Sequence, residues 1–293
     1  MENKSDYVVT RYSLLPDTQI NLHAFLASET KEQIFLNWLN QFEQQPSQSI
    51  SVHKSNFTFY CKRISKFRFI LKFAKKTNKK INEATKDDIY EKLVCDYPYS
   101  NIVIDINTQI MLIQKNPKVF QNIIYFKDTI SKCISYFIKP KGISIYIELL
   151  TQKHDFWTHI KENKGFIQTV ELKLISPNFL KTTRTAREFV QSLKEQYNNK
   201  AVSIKLENDD GNLNISEDQI FINDAVKYAS SGCGNWKIKT KRNTKQLKSE
   251  DKSITMSLPH DIINVTKENI IEIEYVFDRI RLIENSNLDD EGE

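Results

Sequence analysis

A single basic segment constrains the fold of this chain more than any other feature. Within it, apolar side chains recur at every second position, at Phe67, Phe69, Leu71 and Phe73. This period of two predicts a β-strand that buries one face. The segment Cys61–Lys80 also carries nine basic residues and no acid. They are Lys62, Arg63, Lys66, Arg68, Lys72, Lys75, Lys76, Lys79 and Lys80. We therefore expect the phenylalanines to point inward, with Lys66, Arg68 and Lys72 on the outward face.

A second basic cluster lies in the last quarter of the chain. It comprises Lys237, Lys239, Lys241, Arg242, Lys245 and Lys248, and no acid follows until Glu250. The spacing of its first members predicts one strand face, and Asn243–Gln246 is predicted to be a flexible loop. Lysine also protects edge strands from aggregation, and 6 Gly beside abundant Lys, Ile and Asn fits an AT-rich coding bias. Two acid-free clusters nevertheless favour contact with the phosphates of a nucleic acid.

The charge is distributed unevenly along the chain of 293 residues, whose net charge is +5. Residues 1–150 hold 21 Lys and Arg against 14 Asp and Glu (net +7), whereas residues 151–293 hold 21 against 23 (net −2). A positive first half and an acidic end indicate a surface that faces a polyanion. We expect an N-terminal domain over residues 1–140, a C-terminal domain over 141–286 and an acidic tail over 287–293.

Periodicity and turn residues predict the α+β class, with mixed or antiparallel sheets. In the first half we expect strands at 7–15, 20–26, 57–61 and 67–73, a hairpin at 101–114, helices at about 29–42 and 119–137, and a loop at 44–49. In the second half we expect strands at 143–149, 166–175 and 201–206 that alternate with helices at 154–164 and 184–197. This order outlines a split βαβ unit. A helix at 216–229, strands at 235–240 and 252–258, and a C-terminal helix at 266–285 with an apolar stripe complete the prediction.

Catalytic signatures are weak throughout the sequence. No two cysteines form a CxxC pair, and His154 and His159 do not share a helix face, so we expect no metal site and no cofactor. The turn Ser231–Gly234 lacks the phosphate-binding glycine patterns and is interpreted as a helix stop. Glu171 and Asp105 are the carboxylates that a metal-dependent nuclease could use. We assign no catalytic residue and expect no enzyme activity.

The compartment follows from cysteine use and hydropathy. Cys61, Cys95, Cys133 and Cys233 are far apart in sequence, as expected of free thiols in a reducing compartment. No apolar run approaches the roughly 18 residues of a membrane helix, and the polar start is not a secretory signal. We expect a cytoplasmic protein without direct membrane insertion.

Several segments resemble a known family. In the first half they are Ile20–Leu26, Val52–Lys54 before a Phe-rich basic strand, a predicted Lys/Asp-rich helix over Asn82–Leu93 and a predicted hairpin over Ile102–Gln114. Together these segments resemble the N-terminal part of the Rex exclusion protein A of lambdoid phages. Val170–Asn178 resembles a strand-Pro-Asn element of bacterial proteins found near anti-phage loci. The resemblance implies a DNA-binding homodimer that signals to a membrane effector, and the DNA-binding component of the Kiwa defence system is similar in this logic.

The resulting hypothesis is a non-enzymatic nucleic-acid-binding sensor or adaptor of a prokaryotic anti-phage defence system, acting in phage exclusion or abortive infection. Double-stranded DNA is the expected ligand, with RNA as the alternative. The expected protein partners are a second copy of the chain and a membrane or nuclease effector encoded nearby. Two alternatives stay open: a metal-dependent nuclease, and a structural subunit of a larger defence complex whose basic face meets an acidic protein.

Overall fold

A computed structural model of the chain describes residues 4–16, 29–175 and 184–288, and these ranges form an α+β structure of antiparallel sheets with a C-terminal helix, which confirms the predicted fold class. The strands are β1 (Lys4–Pro16), β2 (Ser47–Val52), β3 (Ser55–Arg63), β4 (Arg68–Lys75), β5 (Thr77–Ala84), β6 (Ile89–Asp96), β7 (Tyr99–Asp105), β8 (Ile110–Gln114), β9 (Ile143–Leu149), β10 (Ile167–Ile175), β11 (Ala201–Glu207), β12 (Gly234–Thr240), β13 (Asn243–Lys248) and β14 (Thr255–Pro259). The helices are α1 (Lys31–Asn40), α2 (Ile123–Ile138), α3 (Lys153–Glu162), α4 (Arg184–Tyr197), α5 (Ile220–Tyr228) and α6 (Lys267–Leu288). No helix in the described ranges is both long enough and apolar enough to cross a bilayer.

The larger sheet has eight strands in the order β14-β1-β8-β7-β4-β3-β2, with β9 also paired to β1. Strand β1 is 13 residues long and therefore has room for three partners. One edge of β1 pairs with β8, while the other pairs with β14 over Lys4–Val8 and with β9 over Thr10–Pro16. This long strand joins segments from the beginning, middle and end of the chain into one curled sheet.

The inner face of this sheet carries the main aromatic core, as the period of two predicts. Phe69, Leu71 and Phe73 of β4 are all buried there. Phe73 stacks on Phe57 of β3 at 4.9 Å between ring centroids, and α1 and α2 close the layer with apolar side chains such as Trp38. Aromatic packing of this kind supplies much of the burial energy of a core.

The outer face of the larger sheet is covered over part of its area by α6. The buried stripe of this helix (Ile273, Val276, Phe277 and Ile280) packs in one cluster with Ile70 and other outward apolar residues of the sheet. The apolar stripe predicted on the C-terminal helix is thus occupied by its own chain. The outward side of β4 is correspondingly less exposed than the sequence predicts.

The smaller sheet has the order β11-β10-β12-β13 and packs against α3, α4 and α5 around a core that includes Trp157 and Trp236. The predicted order of strands and helices over 143–206 is present. Its first strand, β9, leaves the unit and pairs with β1, because Gly142 (φ 75°) turns the chain back toward the larger sheet. Since β9, β14 and α6 all pack with the first half, residue 140 does not separate two sheets.

Four local predictions are corrected by the structure. The segment Asn82–Leu93 belongs to a hairpin of β5 and β6 instead of a helix, because Thr85–Asp88 closes a tight turn. Residues 243–246 lie in β13 instead of a flexible loop, and part of the predicted loop at 44–49 is β2. Helix α5 begins at Ile220, four residues later than predicted, and Gln219 bonds back to the Ser216 amide at 3.4 Å without a reciprocal side-chain cap. The strand predicted at 20–26, the end of the Pro-Asn element and residues 289–293 of the acidic tail lie outside the described residues.

Candidate nucleic-acid interface

The nine basic residues of Cys61–Lys80 do not form one strip in space. Lys62 and Arg63 end β3, Lys66 lies in the following turn, and Arg68, Lys72 and Lys75 lie on β4. Lys76 connects β4 to β5, and Lys79 and Lys80 lie on β5. Strand alternation sends neighbouring members to opposite faces, so each must be judged by its own surroundings.

Two of these cations, Arg68 and Lys75, are engaged inside the fold, and a third, Arg63, is paired at the surface. The Arg68 guanidinium donates to Asp105 Oδ2 at 2.7 Å and lies 4.8 Å from the centre of the Phe277 ring under α6. Arg63 pairs with Glu43 at 3.3 Å. Lys75 points to the inner face, where its ammonium lies 5.4 Å from an aromatic ring centre. These three positions are therefore poor candidates for contact with a ligand.

The hairpin of β5 and β6 pairs two of its lysines with glutamates across its strands. Lys80 pairs with Glu91 at 2.6 Å, and Lys92 pairs with Glu83 at 2.9 Å. Residues 77–96 contain four Lys against five Asp and Glu, a net charge of −1. The acid-free segment of the sequence thus folds against the acids that follow it, and Lys79 and Lys80 lie in a surface of mixed charge.

The part of the outer sheet face that α6 leaves uncovered has a different character. Tyr60 of β3 lies opposite Lys72 of β4, and the Lys72 ammonium lies 4.1 Å from the ring centre of Tyr99 on β7. Lys62 extends the same side of β3, two residues from Tyr60, and donates to the Ile263 carbonyl oxygen at 3.2 Å. Alternate residues of a strand share a face, and the pairing of Tyr60 with Lys72 and of Tyr99 with Ala74 puts these side chains on one continuous surface.

A cleft of about 520 Å³ adjoins this surface where the hairpin leaves the sheet. Its walls carry hydroxyl and amide groups together with one cation and two aromatic rings. They include Ser49, Ser51, Asn56, Thr58, Lys76, Tyr97 and Tyr136. We call Tyr60, Lys62, Lys72, Lys76, Tyr97 and Tyr99 the tyrosine–lysine face. Its rings are open to solvent, with exposed fractions of 46% for Tyr60, 49% for Tyr97 and 36% for Tyr99.

The smaller sheet presents a second basic face. Lys237 and Lys239 of β12, predicted from the sequence, lie beside Lys173 of β10 and close to Lys205 of β11. Two acids reduce its charge, since Lys237 pairs with Glu171 at 3.4 Å and Lys205 pairs with Glu207 at 2.6 Å. Lys173 and Lys205 were not predicted as members of this face. Strand alternation assigns each of them to a face of its own predicted strand, but only the pairing of β10 with β11 and β12 brings them beside Lys237 and Lys239.

The remaining predicted residues of this cluster surround the turn between β12 and β13. Lys241, Arg242 and Lys245 are exposed there. The Arg242 guanidinium lies 3.6 Å from the ring centre of Phe166, so part of its surface is used for packing.

The carboxylates considered for a nuclease do not come together. Asp105 lies in the larger sheet against Arg68, and Glu171 lies in the smaller sheet against Lys237. Among the described residues, no group of three or more His, Cys, Asp or Glu side chains is arranged to hold a metal ion.

The glycine-containing turn after α5 is structural, as predicted for a helix stop. Residues 229–233 form a buried π-helical turn. Gly232 has φ 78°, and a Cβ on it would lie 2.6 Å from the Arg11 Cβ. A Cβ on Gly234 would lie 2.0 Å from the Lys173 carbonyl oxygen. Gly232 therefore permits close approach to β1 of the larger sheet, and Gly234 permits close pairing of β12 with β10 within the smaller sheet.

No protein-family model matches this chain, and no curated protein matches it. The resemblance to the Rex exclusion protein and to the Kiwa component therefore stays a prediction from the sequence.

Proposed function

We propose that this protein binds nucleic acid through the tyrosine–lysine face and serves as a non-enzymatic sensor or adaptor. One observation carries the proposal: Lys62, Lys72 and Lys76 come from three segments to one open surface that also presents three exposed tyrosine rings. Cations on an open sheet beside aromatic rings and hydroxyl groups suit contact with phosphates, sugars and bases.

The three lysines set the expected strength of the electrostatic contact. If each neutralises one phosphate, the logarithm of the affinity should fall with the logarithm of salt concentration at a slope of about −2 to −3. Between 50 and 200 mM salt this slope corresponds to a loss of affinity of roughly 16- to 64-fold. The second basic face on the smaller sheet would steepen the dependence if a longer ligand reaches it.

The biological setting is part of the same proposal. The resemblance to phage-exclusion proteins supports anti-phage defence with an effector partner, and four free thiols support a cytoplasmic location. For the homodimer, the buried stripe of α6 is already occupied. We place the contact on the opposite side of this helix, where Ile271, Tyr275 and Leu282 are exposed at helical spacing.

Charge reversal tests the nucleic-acid site. Lys62, Lys72 and Lys76 are replaced together by Glu, and binding to labelled DNA and RNA is measured by fluorescence anisotropy. A matched control replaces Lys139, Lys164 and Lys252, which are also exposed but lie outside the face. We expect binding to be lost in the first variant and kept in the control. Equal binding by both variants would contradict the site, and Mg²⁺-dependent cleavage would establish the nuclease alternative.

A further inference from the structure

The geometry of the tyrosine–lysine face points to single-stranded nucleic acid as its ligand, and we propose that unpaired bases stack on Tyr60, Tyr97 and Tyr99. This inference rests on the proposed function and specifies its substrate class. Single-stranded ligands expose the faces of their bases, and those faces pack favourably on aromatic side chains regardless of sequence. In a duplex the same base faces are already stacked on each other.

The three rings are placed as a platform. Tyr60 and Tyr99 lie on β3 and β7, with β4 between them, and their register differs by two residues. Strand spacing of about 4.8 Å and a rise of about 3.4 Å per residue place their Cα atoms roughly 12 Å apart. Tyr97, two residues before Tyr99, lies where the hairpin leaves the sheet and lines the cleft, whose other walls include Ser49 of β2 and Thr58 of β3. One strand of nucleic acid that runs along β3 and β4 toward this end of the sheet can thus meet Tyr60, Tyr99 and Tyr97 in turn.

Polar groups accompany each ring. Lys72 lies between Tyr60 and Tyr99, with its ammonium 4.1 Å from the Tyr99 ring centre. A phosphate that binds this ammonium would draw it away and free the ring for a base. The cleft, at about 520 Å³, has the size of pockets that hold small organic ligands. Its serine, threonine and asparagine side chains offer donors and acceptors to a base edge.

The charge pattern disfavours a duplex. A two-stranded ribbon is a common element for entering the major groove of DNA. Here the ribbon of β5 and β6 has a net charge of −1, and Lys80 and Lys92 are both paired with glutamates. Acids at the place where two phosphate backbones would pass are repulsive. The cations that remain form a short row, which suits one backbone.

The test compares one 12-nucleotide sequence as a labelled single strand, in DNA and in RNA form, with the same sequence as a blunt DNA duplex. We expect the full-length protein to bind a single strand at least tenfold more tightly than the duplex. Tyr60→Ala and Tyr99→Ala should each weaken single-strand binding roughly 5- to 150-fold, the range for loss of one stacked base. Tyr60→Phe and Tyr99→Phe keep the rings and should bind like the wild type. Thermal melting checks that each variant is folded.

The outcomes separate this inference from the proposed function. A preference for the duplex, or alanine variants that bind single strands like the wild type, would overturn the stacking model. The proposed function would still hold in that case if Lys62, Lys72 and Lys76 were required. A wild type that binds no form of nucleic acid would overturn both, and exposed tyrosines would then indicate a protein partner.

Discussion

Phe277→Ala tests the placement of the C-terminal helix on its own chain. The ring is 1% exposed, lies in the cluster that joins α6 to the outer face of the larger sheet, and has the Arg68 guanidinium 4.8 Å from its centre. Removing a buried Phe side chain loses about 2–3 kcal/mol of transfer free energy and leaves a cavity. The expected total loss of unfolding free energy is about 3–5 kcal/mol.

Urea unfolding followed by tryptophan fluorescence measures this loss, with the slope m compared between variants. Ile220→Ala is the control, because Ile220 is a largely exposed apolar residue at the start of α5. The control should change stability by less than about 0.5 kcal/mol. Light scattering should show an unchanged particle size for folded Phe277→Ala. A loss below about 1 kcal/mol, or a stable but smaller particle, would refute packing of this ring within the protomer.

Three further predictions concern buried groups. Glu148→Gln removes the carboxylate that lies 2.7 Å from the buried Lys127 ammonium and leaves only the exposed Asp128 carboxylate, at 3.7 Å, as a counter-charge. The change should cost up to about 3–5 kcal/mol in urea unfolding; a near-neutral effect would contradict the pair. Gly234→Ala should destabilise the protein more than Gly165→Ala, because a Cβ at 234 would lie 2.0 Å from a carbonyl oxygen whereas nothing lies within 4 Å at 165. At pH 8 a thiol reagent should modify Cys95 quickly and Cys61, Cys133 and Cys233 slowly. Burial raises the pKa values of these three thiols to about 11 or 12, so little of the reactive thiolate is present at pH 8. Rapid modification of all four cysteines would contradict this burial.

Local periodicity predicted most of the strands and helices. β1, β4, β7, β8 and β10 each carry an apolar run or alternation long enough to identify them. The hairpin of β5 and β6 was predicted wrongly as part of a helix, because its sequence is charged and nearly fully exposed, so neither period is visible. The pairing of β9 and β14 with β1 depends on contacts across the whole chain, which local patterns do not encode.

The site was predicted only in part, because closeness in sequence is not closeness in space. Lys80 meets Glu91 across the hairpin, and Arg68 is covered by a helix from the other end of the chain. The aromatic members of the face were missed. Tyr60 carried a usable signal. Phe57 and Phe59 alternate along the strand and point inward, and Tyr60 occupies a position between such inward residues, so it points outward.

The salt dependence of binding tests the central claim most directly. The affinity for a labelled single strand is measured at several salt concentrations between about 50 and 200 mM for the wild type and for Lys72→Gln. A slope of about −2 or steeper for the wild type, reduced in magnitude by about 0.7 in the variant, is the predicted result for one phosphate contact at Lys72. No measurable binding, or affinity that is indifferent to salt and identical in the two proteins, would contradict nucleic-acid binding at the tyrosine–lysine face.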